Sequence, residues 1–576
     1  MRLKRLALKE YRNLRGVDIT FSETFEHSSG INESEKKTVR SHALIGQNGT
    51  GKSNLLEALV TIFRDIDLDL DISFDYVLEY SIRGHQVKIE ADMEKRKRRP
   101  YVWVDGKSES QSYLLRNKEL LPSHIFAYYS GRNERMEALF QSHQRRFNKR
   151  QEITAEEVIP AELLRNLSNS EADREAIERV RRLEDNKQLK NFGDDRLRRL
   201  FYCRGGHSQL VLLACLLSDD PVFKKVLENL NIESLESALF VLKQPHRLRK
   251  LEDDDIEQGD PRFWYARGNV VSEFLDKLWK VSWAPIRNEE SKLVDFRGRR
   301  ERQRQLYMYV PTPEKLRELG ELVGTAESFF RYAEGAYIGD LIDEVRITVK
   351  KKDGHGGKVD FTQLSEGELQ MLTVLGLMRI TNESHSLFLL DEPDTHLNPI
   401  WKLRYFDDIE DVLNPSAESI VQGESQVLIT THDPIMIGSL KKEQVHIIRK
   451  NGEKIWVDQP DEHPQGMGVT GLLKSDLFGL SSTLDRETER RLYRRNELFA
   501  KETKTASENE ELAKLSRELA DIGFSMAEFK DPVYAMFVRK MAQHRKYTQG
   551  ILSSEEIREQ EAIVDSIIDD ILGEEN

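Results

Sequence analysis

Cysteine is nearly absent. Cys203 and Cys215 are the two cysteines among 576 residues, without the CxxC spacing of a zinc or redox site. Both read as buried apolar thiols, and no disulfide framework is available, which fits a reducing compartment. Long hydrophobic runs are missing as well. No stretch approaches the roughly 18 apolar residues of a spanning helix, and the opening "MRLKRLALKEYRNLRG" lacks the apolar core of a signal peptide. A cytoplasmic chain with no membrane segment is expected. There is no internal repeat, no low-complexity tract and no heptad run long enough for an extended coiled coil. Net positive charge is absent: at −13, the chain is not coated in nucleic acid, although a local basic groove stays possible. What is present is 38% hydrophobic and 32% charged residues, the balance of a globular, helix-rich chain of about two to four domains.

Periodicity places the elements. Residues 1–22 read as a hairpin turning at Gly16, followed by a polar connector, "SETFEHSSGINESEKKTVR". "SHALIG" is a short strand and "KSNLLEALVTIFRDI" a helix; "FDYVLEYSI", "HQVKIEADM", "YVWVDG" and "SHIFAYYSG" are strands. Segments such as "ERMEALFQSHQRRFNKRQ", "EADREAIERVRRLEDNKQL" and "TPEKLRELGELVGTAESFFRYA" predict a compact helical insertion over 135–340. The buried-strand runs "SLFLLDEP" and "QVLITTHDP", each near a helical segment, predict a parallel sheet. Beyond about 470 the chain reads as helical again. The expected division is 1–134, 135–340, 341–470 and 471–576.

Chemistry concentrates in three places. "LIGQNGTGKSN" has the spacing GxxxxGK[ST] after a strand and at a helix start. Its residues Gly46, Asn48, Gly49, Gly51, Lys52, Ser53 and Asn54 form a candidate phosphate cradle. Glycines let backbone N–H groups turn inward, and the helix start adds partial positive charge. Lys52 is expected at the β- and γ-phosphates and Ser53 on Mg2+. In "SLFLLDEPDTHLNP" an apolar strand ends in Asp391 and Glu392, a costly arrangement unless a cation meets them. Asp391 is the candidate Mg2+ ligand and Glu392 the candidate base for an attacking water. His432, in "LITTHDP", ends another apolar strand and is the candidate γ-phosphate contact. Finally, "QLSEGE" opens a helix with Ser365 and Gly367, a second anion site that one cradle makes redundant within a single copy.

The order phosphate loop, "LSEGE", "LLDEPDTHL", "TTHDP" resembles that of the ABC-type ATPases. In that family the signature helix of one head closes over ATP bound to the other. The resemblance implies an α/β fold: a P-loop mixed sheet flanked by helices, with a large helical insertion and a helical C-terminal region. It implies ATP and Mg2+ as ligands and at least a homodimer. Ser365, Gly367 and Glu368 match the signature, Asp394 to Leu397 the D-loop, and His432 the switch histidine. Glu366 stands where many members have glycine, as in LSGGQ. The opening "LKRLALKEYRNLRGVDITF" resembles the SMC, RecF and OLD group, whose comparable segment contacts adenine. Arg12 and Asn13 are adenine-side candidates on that basis; a solvated hairpin turn is the alternative.

The layout looks most like the PtuA-type ATPases of Septu and related retron anti-phage systems, which work with a separate HNH nuclease. Neither TOPRIM acidic motifs nor HNH-type histidines are seen in the tail. "EKRKRRP" and "DFRGRRERQRQ" are either solvated loops or backbone contacts for DNA, RNA or a reverse transcriptase–nucleic acid complex. Tyr101 and Trp103 are expected on the core face of their strand. Three functions therefore compete: an ATPase controlling a nuclease, a RecF- or SMC-like clamp on DNA, and a scaffold with structural ATP.

Overall fold

A computed structural model describes residues 1–522 apart from 31–32, 97, 132, 152–198, 252–255, 257–258, 294–299, 353–356, 382–384, 414–424, 453, 481–482 and 501–504. The helix expected over 171–189 and the first part of the basic run 295–305 lie outside the described residues. Met1–Leu472 with Asp476–Phe478 form one compact unit; Leu473–Ser475 and Gly479–Asn576 form a second.

The first unit is built around a seven-stranded sheet in the order Leu200–Tyr202, Ile125–Tyr129, Leu387–Asp391, Gln426–Thr430, Ser41–Ile45, Val445–Asn451, Lys454–Asp458. All neighbours pair in parallel except the last, which closes the edge antiparallel. The apolar runs follow from burial on both faces. Phe388 and Leu390 enter one core, while Leu387 and Leu389 enter the other.

On one face the helix Lys52–Asp67 is packed under a six-stranded antiparallel sheet. That sheet runs Leu14–Thr20, Arg2–Tyr11, Tyr76–Ile82, His85–Ala91, Tyr101–Val104, Lys107–Glu109. Leu55, Leu59 and Ile62 of the helix meet Leu6, Leu8, Val17 and Leu78 of the sheet in a shared core. On the other face lie the helices His207–Leu217, Ala326–Ile338, Glu366–Ile380 and Pro399–Leu413. A five-stranded antiparallel sheet joins this core through Phe240, Leu242, Met308, Val345 and Ile347. Its order is Trp283–Leu293, Arg300–Val310, Ile232–Lys243, Ile342–Lys351, Lys358–Asp360. The fold is therefore α/β, with one mostly parallel and two antiparallel sheets.

Several expectations are corrected. The 135–340 segment is not simply helical, since it supplies three of the five strands of the last sheet and the edge strand Leu200–Tyr202 of the first. Charged side chains on the exposed first half of "RERQRQLYMYV" hide the alternation that marks a half-buried strand. The first hairpin turns at Arg12 and Asn13, because Tyr11 pairs with Leu14. This register sets Leu8 opposite Val17 and Leu6 opposite Ile19, all buried; a one-residue slip would turn them to solvent. The connector over 22–40 contains a hairpin, Thr24–Gly30 with Glu33–Thr38, whose polar sequence shows no apolar face. In Tyr101–Val104 the valines face the core. Trp103 and Tyr101 lie on the opposite face, near Lys88 and Arg96. Both cysteines are buried and free, and burial pushes both thiols up.

In the second unit the described helices Arg486–Ala500 and Ala506–Asp521 bury Leu498, Leu512 and Leu519, and Arg494 pairs with Glu511 at 2.9 Å. Phe524, Phe529, Tyr534, Phe537 and Val538, whose near-helical spacing in the sequence predicts a buried stripe, lie outside the described residues. No described helix is long and apolar enough to cross a membrane.

Candidate functional site

The strand Ser41–Ile45 ends beneath Gly46, and the helix begins at Lys52, after Gly51 at φ 104°. Gly46 is forced by contact with backbone and Gly51 by its positive φ. A Cβ on Gly46 would stand 2.6 Å from the Ile448 carbonyl oxygen, and one on Gly51 2.5 Å from Leu14 Cδ2. Lys52 is buried, and its ammonium donates to the Gly46 carbonyl at 2.8 Å. Burial pushes the Lys52 pKa down, while Glu392, Asp391 and Asp394 pull it back up. The cradle lysine and three carboxylates thus share one electrostatic environment. Asn48 is exposed at the tip of the loop.

The strand register delivers the acids. Asp391 pairs with Thr430 across neighbouring parallel strands, and the Thr430 hydroxyl donates to the Asp391 carboxylate. The Glu392 N–H donates to Thr430 Oγ1 at 3.1 Å, with Glu392 itself at φ 48°. A positive φ in a non-glycine residue at a strand end is strain held by its surroundings. His432 Nδ1 lies 3.2 Å from Glu392 Oε1. One residue back, the Thr431 hydroxyl donates to Asp394 Oδ2 at 3.0 Å. Burial pushes the Asp391 carboxyl up, opposed by hydrogen bonds from Thr430 and Ser53. Asp391 Oδ2 is buried without a hydrogen-bond partner. A buried, unsatisfied oxygen beside a serine hydroxyl at a helix start suits a hard, oxygen-loving cation. Among the described residues no group of three or more His, Cys, Asp or Glu is arranged to hold a metal alone. Mg2+ fits this donor set, since it takes most of its ligands from water and phosphate.

Arg12 and Asn13, at the hairpin tip, come to the loop. Asn13 Nδ2 donates to the Gly49 carbonyl at 3.1 Å, and Asn54 Nδ2 donates to Asn13 Oδ1 at 2.7 Å. Arg12 pairs at 2.6 Å with Glu57, a fully buried carboxylate one turn into the helix. Arg135 approaches the other oxygen of Glu57 at 3.4 Å. Both adenine-side candidates therefore brace the cradle.

Ser365 caps the helix Glu366–Ile380 in a reciprocal box. Its hydroxyl accepts from Glu368 N–H at 3.2 Å, and Glu368 accepts from Ser365 N–H at 2.7 Å. Among the described contacts, none joins Ser365 or Gly367 to the phosphate loop. The helix start meets the D-loop segment instead. A Cβ on Gly367 would stand 2.5 Å from the His396 carbonyl oxygen, and Gln370 donates to the Pro393 carbonyl.

The cradle, Asp391, Glu392, Asp394, His432 and the hairpin tip are thus gathered beyond the C-terminal ends of the interior strands Leu387–Asp391, Gln426–Thr430 and Ser41–Ile45, and the signature stands outside that cluster. Sequence reasoning passed over Glu57, Arg135, Gln370, Thr430 and Thr431. The two threonines carried a readable signal, two hydroxyls side by side before the histidine of "TTHDP". Arg135 and Glu57 carried none, since their meeting depends on separate elements.

Residues 228–437 match the family described as "AAA domain, putative AbiEii toxin, Type IV TA system". The match spans the signature, the acidic pair and His432 but not the phosphate loop. No curated protein matches the sequence. Among solved structures the chain is similar to an SMC head bound to the C-terminal winged-helix domain of ScpA, at 12% identity and a TM-score of 0.31, covering 80% of this chain and 98% of that one. It is also similar to the SMC head domain from Thermotoga maritima (12%, TM-score 0.29, 80% and 99%). The recombination mediator RecF with ATP, of the RecFOR pathway, gives 12%, 0.29, 80% and 97%. The family match thus covers less than half of the chain.

Proposed function

We propose that this chain is an Mg2+-dependent ATPase that binds ATP at Gly46–Asn54 and hydrolyses it when a second copy closes over it head to tail. One observation carries the reading: Lys52, Ser53, Asp391, Glu392 and His432 converge at the C-terminal ends of three adjacent interior strands, while the capped start at Ser365 and Gly367 lies outside that cluster, where a second copy could meet it. Lys52 leaves the loop carbonyls to neutralise the β- and γ-phosphates. Ser53 and Asp391 would hold a magnesium ion, which would supply further charge neutralisation for the phosphates. Glu392, its backbone fixed by Thr430, takes the proton of a water whose oxygen bonds to the γ-phosphorus as the bond to ADP breaks. His432 orients Glu392 and faces the departing phosphate.

The resemblance to PtuA-type ATPases supports a further step, in which closure controls a separate HNH-type nuclease in anti-phage defence. One observation favours a DNA clamp instead: Arg300 and Arg302 are exposed on the hairpin with Trp283–Leu293, well placed for phosphate contacts. Isolation of the native complex separates the two, since a copurifying nuclease supports the first and salt-sensitive DNA alone supports the second.

Two variants test the chemistry. Lys52→Ala is expected to abolish ATP binding by calorimetry. Glu392→Gln is expected to bind ATP and hydrolyse it at least roughly a hundredfold more slowly, as loss of a positioned base implies. Normal turnover in Glu392→Gln refutes its role as the base.

A further inference from the structure

The helix Glu366–Ile380 begins with two acids that are held differently. Glu368 is drawn inward, accepting from Ser365 N–H at 2.7 Å and from the Lys351 ammonium at 2.8 Å. Glu366 is 76% exposed in its side chain, and His396 Nδ1 lies 3.0 Å from its Oε2. His396 belongs to the D-loop segment, whose backbone also crowds Gly367. The two segments therefore meet twice, once through backbone and once through this pair. A carboxylate in the first turn stabilises its own helix, and by the same field it opposes a second anion arriving there.

We propose that Glu366 acts as an electrostatic brake on closure of the dimer, and that His396 is a positioning residue that draws its carboxylate aside. The proposal rests on the head-to-tail reading above, in which the other copy's γ-phosphate meets Ser365 and Gly367. Held by His396, the carboxylate points toward the D-loop. Released, it turns over the helix start and repels the phosphate. His396 lies two residues after Asp394, which bonds Thr431 and acts on Lys52. The hold on Glu366 is thereby set beside the chain's own nucleotide, linking the half-site offered to the partner with the half-site it keeps.

The test measures dimerisation of the full chain by sedimentation, with a slowly hydrolysed ATP analogue and Mg2+, at low and high salt. Glu366→Gln is expected to tighten the dimer roughly two- to fivefold, the scale of one charge at a helix terminus. His396→Ala is expected to loosen it by a similar factor. The double variant should dimerise like Glu366→Gln, because the histidine then has nothing to hold. These differences should shrink at high salt, where screening shortens the reach of the carboxylate; a merely structural defect would not respond in this way. If Glu366→Gln dimerises like the parent, or the double variant stays as weak as His396→Ala, the brake is refuted. If the parent itself fails to dimerise with nucleotide, the head-to-tail reading falls first and the brake with it.

Discussion

Glu57 shows how a single buried charge ties the loop Gly46–Ser53 and its helix to their surroundings. Its carboxylate has no exposure, and burial pushes its pKa up while Arg12 and Arg135 hold it down. A carboxyl with a raised folded pKa binds protons more tightly folded than unfolded, so it costs stability as pH rises from the unfolded value through the folded one. Arg12→Ala removes one cation and raises the folded value further. The variant is expected to lose about 1–2 kcal/mol near neutral pH, the scale of a weakened buried polar contact. The loss should fade below the ordinary carboxylate range, where both states are protonated. Thermal denaturation against pH measures this, and a loss that persists in acid would mean that Arg12 acts through packing. Because Asn13 at the same tip holds Gly49, weaker ATP binding is expected alongside.

Among elements, the decisive contact is between the signature helix and the D-loop. Gly367 has no room for a methyl group beside the His396 carbonyl. Gly367→Ala is therefore expected to cost about 1–3 kcal/mol, as overpacking does, and to lower turnover while leaving ATP binding by the single chain intact. Unchanged turnover would show that the two segments part easily. Ser365→Arg adds bulk to the surface that the proposed head-to-tail dimer presents to the other copy, so it should abolish turnover alone. Mixed with Lys52→Ala, it should recover part of the activity, because one composite site in the mixed dimer keeps both intact halves. A mixture that stays inactive at every ratio rules out independent sites formed in trans.

At the scale of the whole molecule, the C-terminal boundary lies later than residue 470. Leu472 and Leu477 are buried in the core of the first unit, with Phe478 packed against it. A chain ending at 470 loses both leucines, each worth about 1.5–3 kcal/mol when fully buried, and should be unstable. A chain ending at 480 keeps them. It is expected to retain ATPase activity while losing any copurifying nuclease subunit. Full recovery of the partner by the shorter chain would place its docking surface within the first unit.

The placement of Lys52, Asp391, Glu392 and His432 at strand ends and a helix start was legible in the sequence because each follows a local rule. The glycines of Gly46 to Ser53 mark a turn between a strand and a helix, and "SLFLLDEP" and "LITTHDP" needed only an apolar run ending in polar groups. The parallel sheet followed from the same runs. In the 135–340 segment the strand Arg300–Val310 was not legible, because charged residues over its exposed first half break the alternation on which a local reading depends. Nor was the turn at Arg12, where burial of Leu6, Leu8, Val17 and Ile19 set the register against the glycine. Contacts between distant residues lay beyond any spacing rule: Arg12 and Arg135 on Glu57, Thr430 on Asp391, and His396 on Glu366. Strand order and helix packing decided them, since each joins elements that only the folded core brings within hydrogen-bond reach.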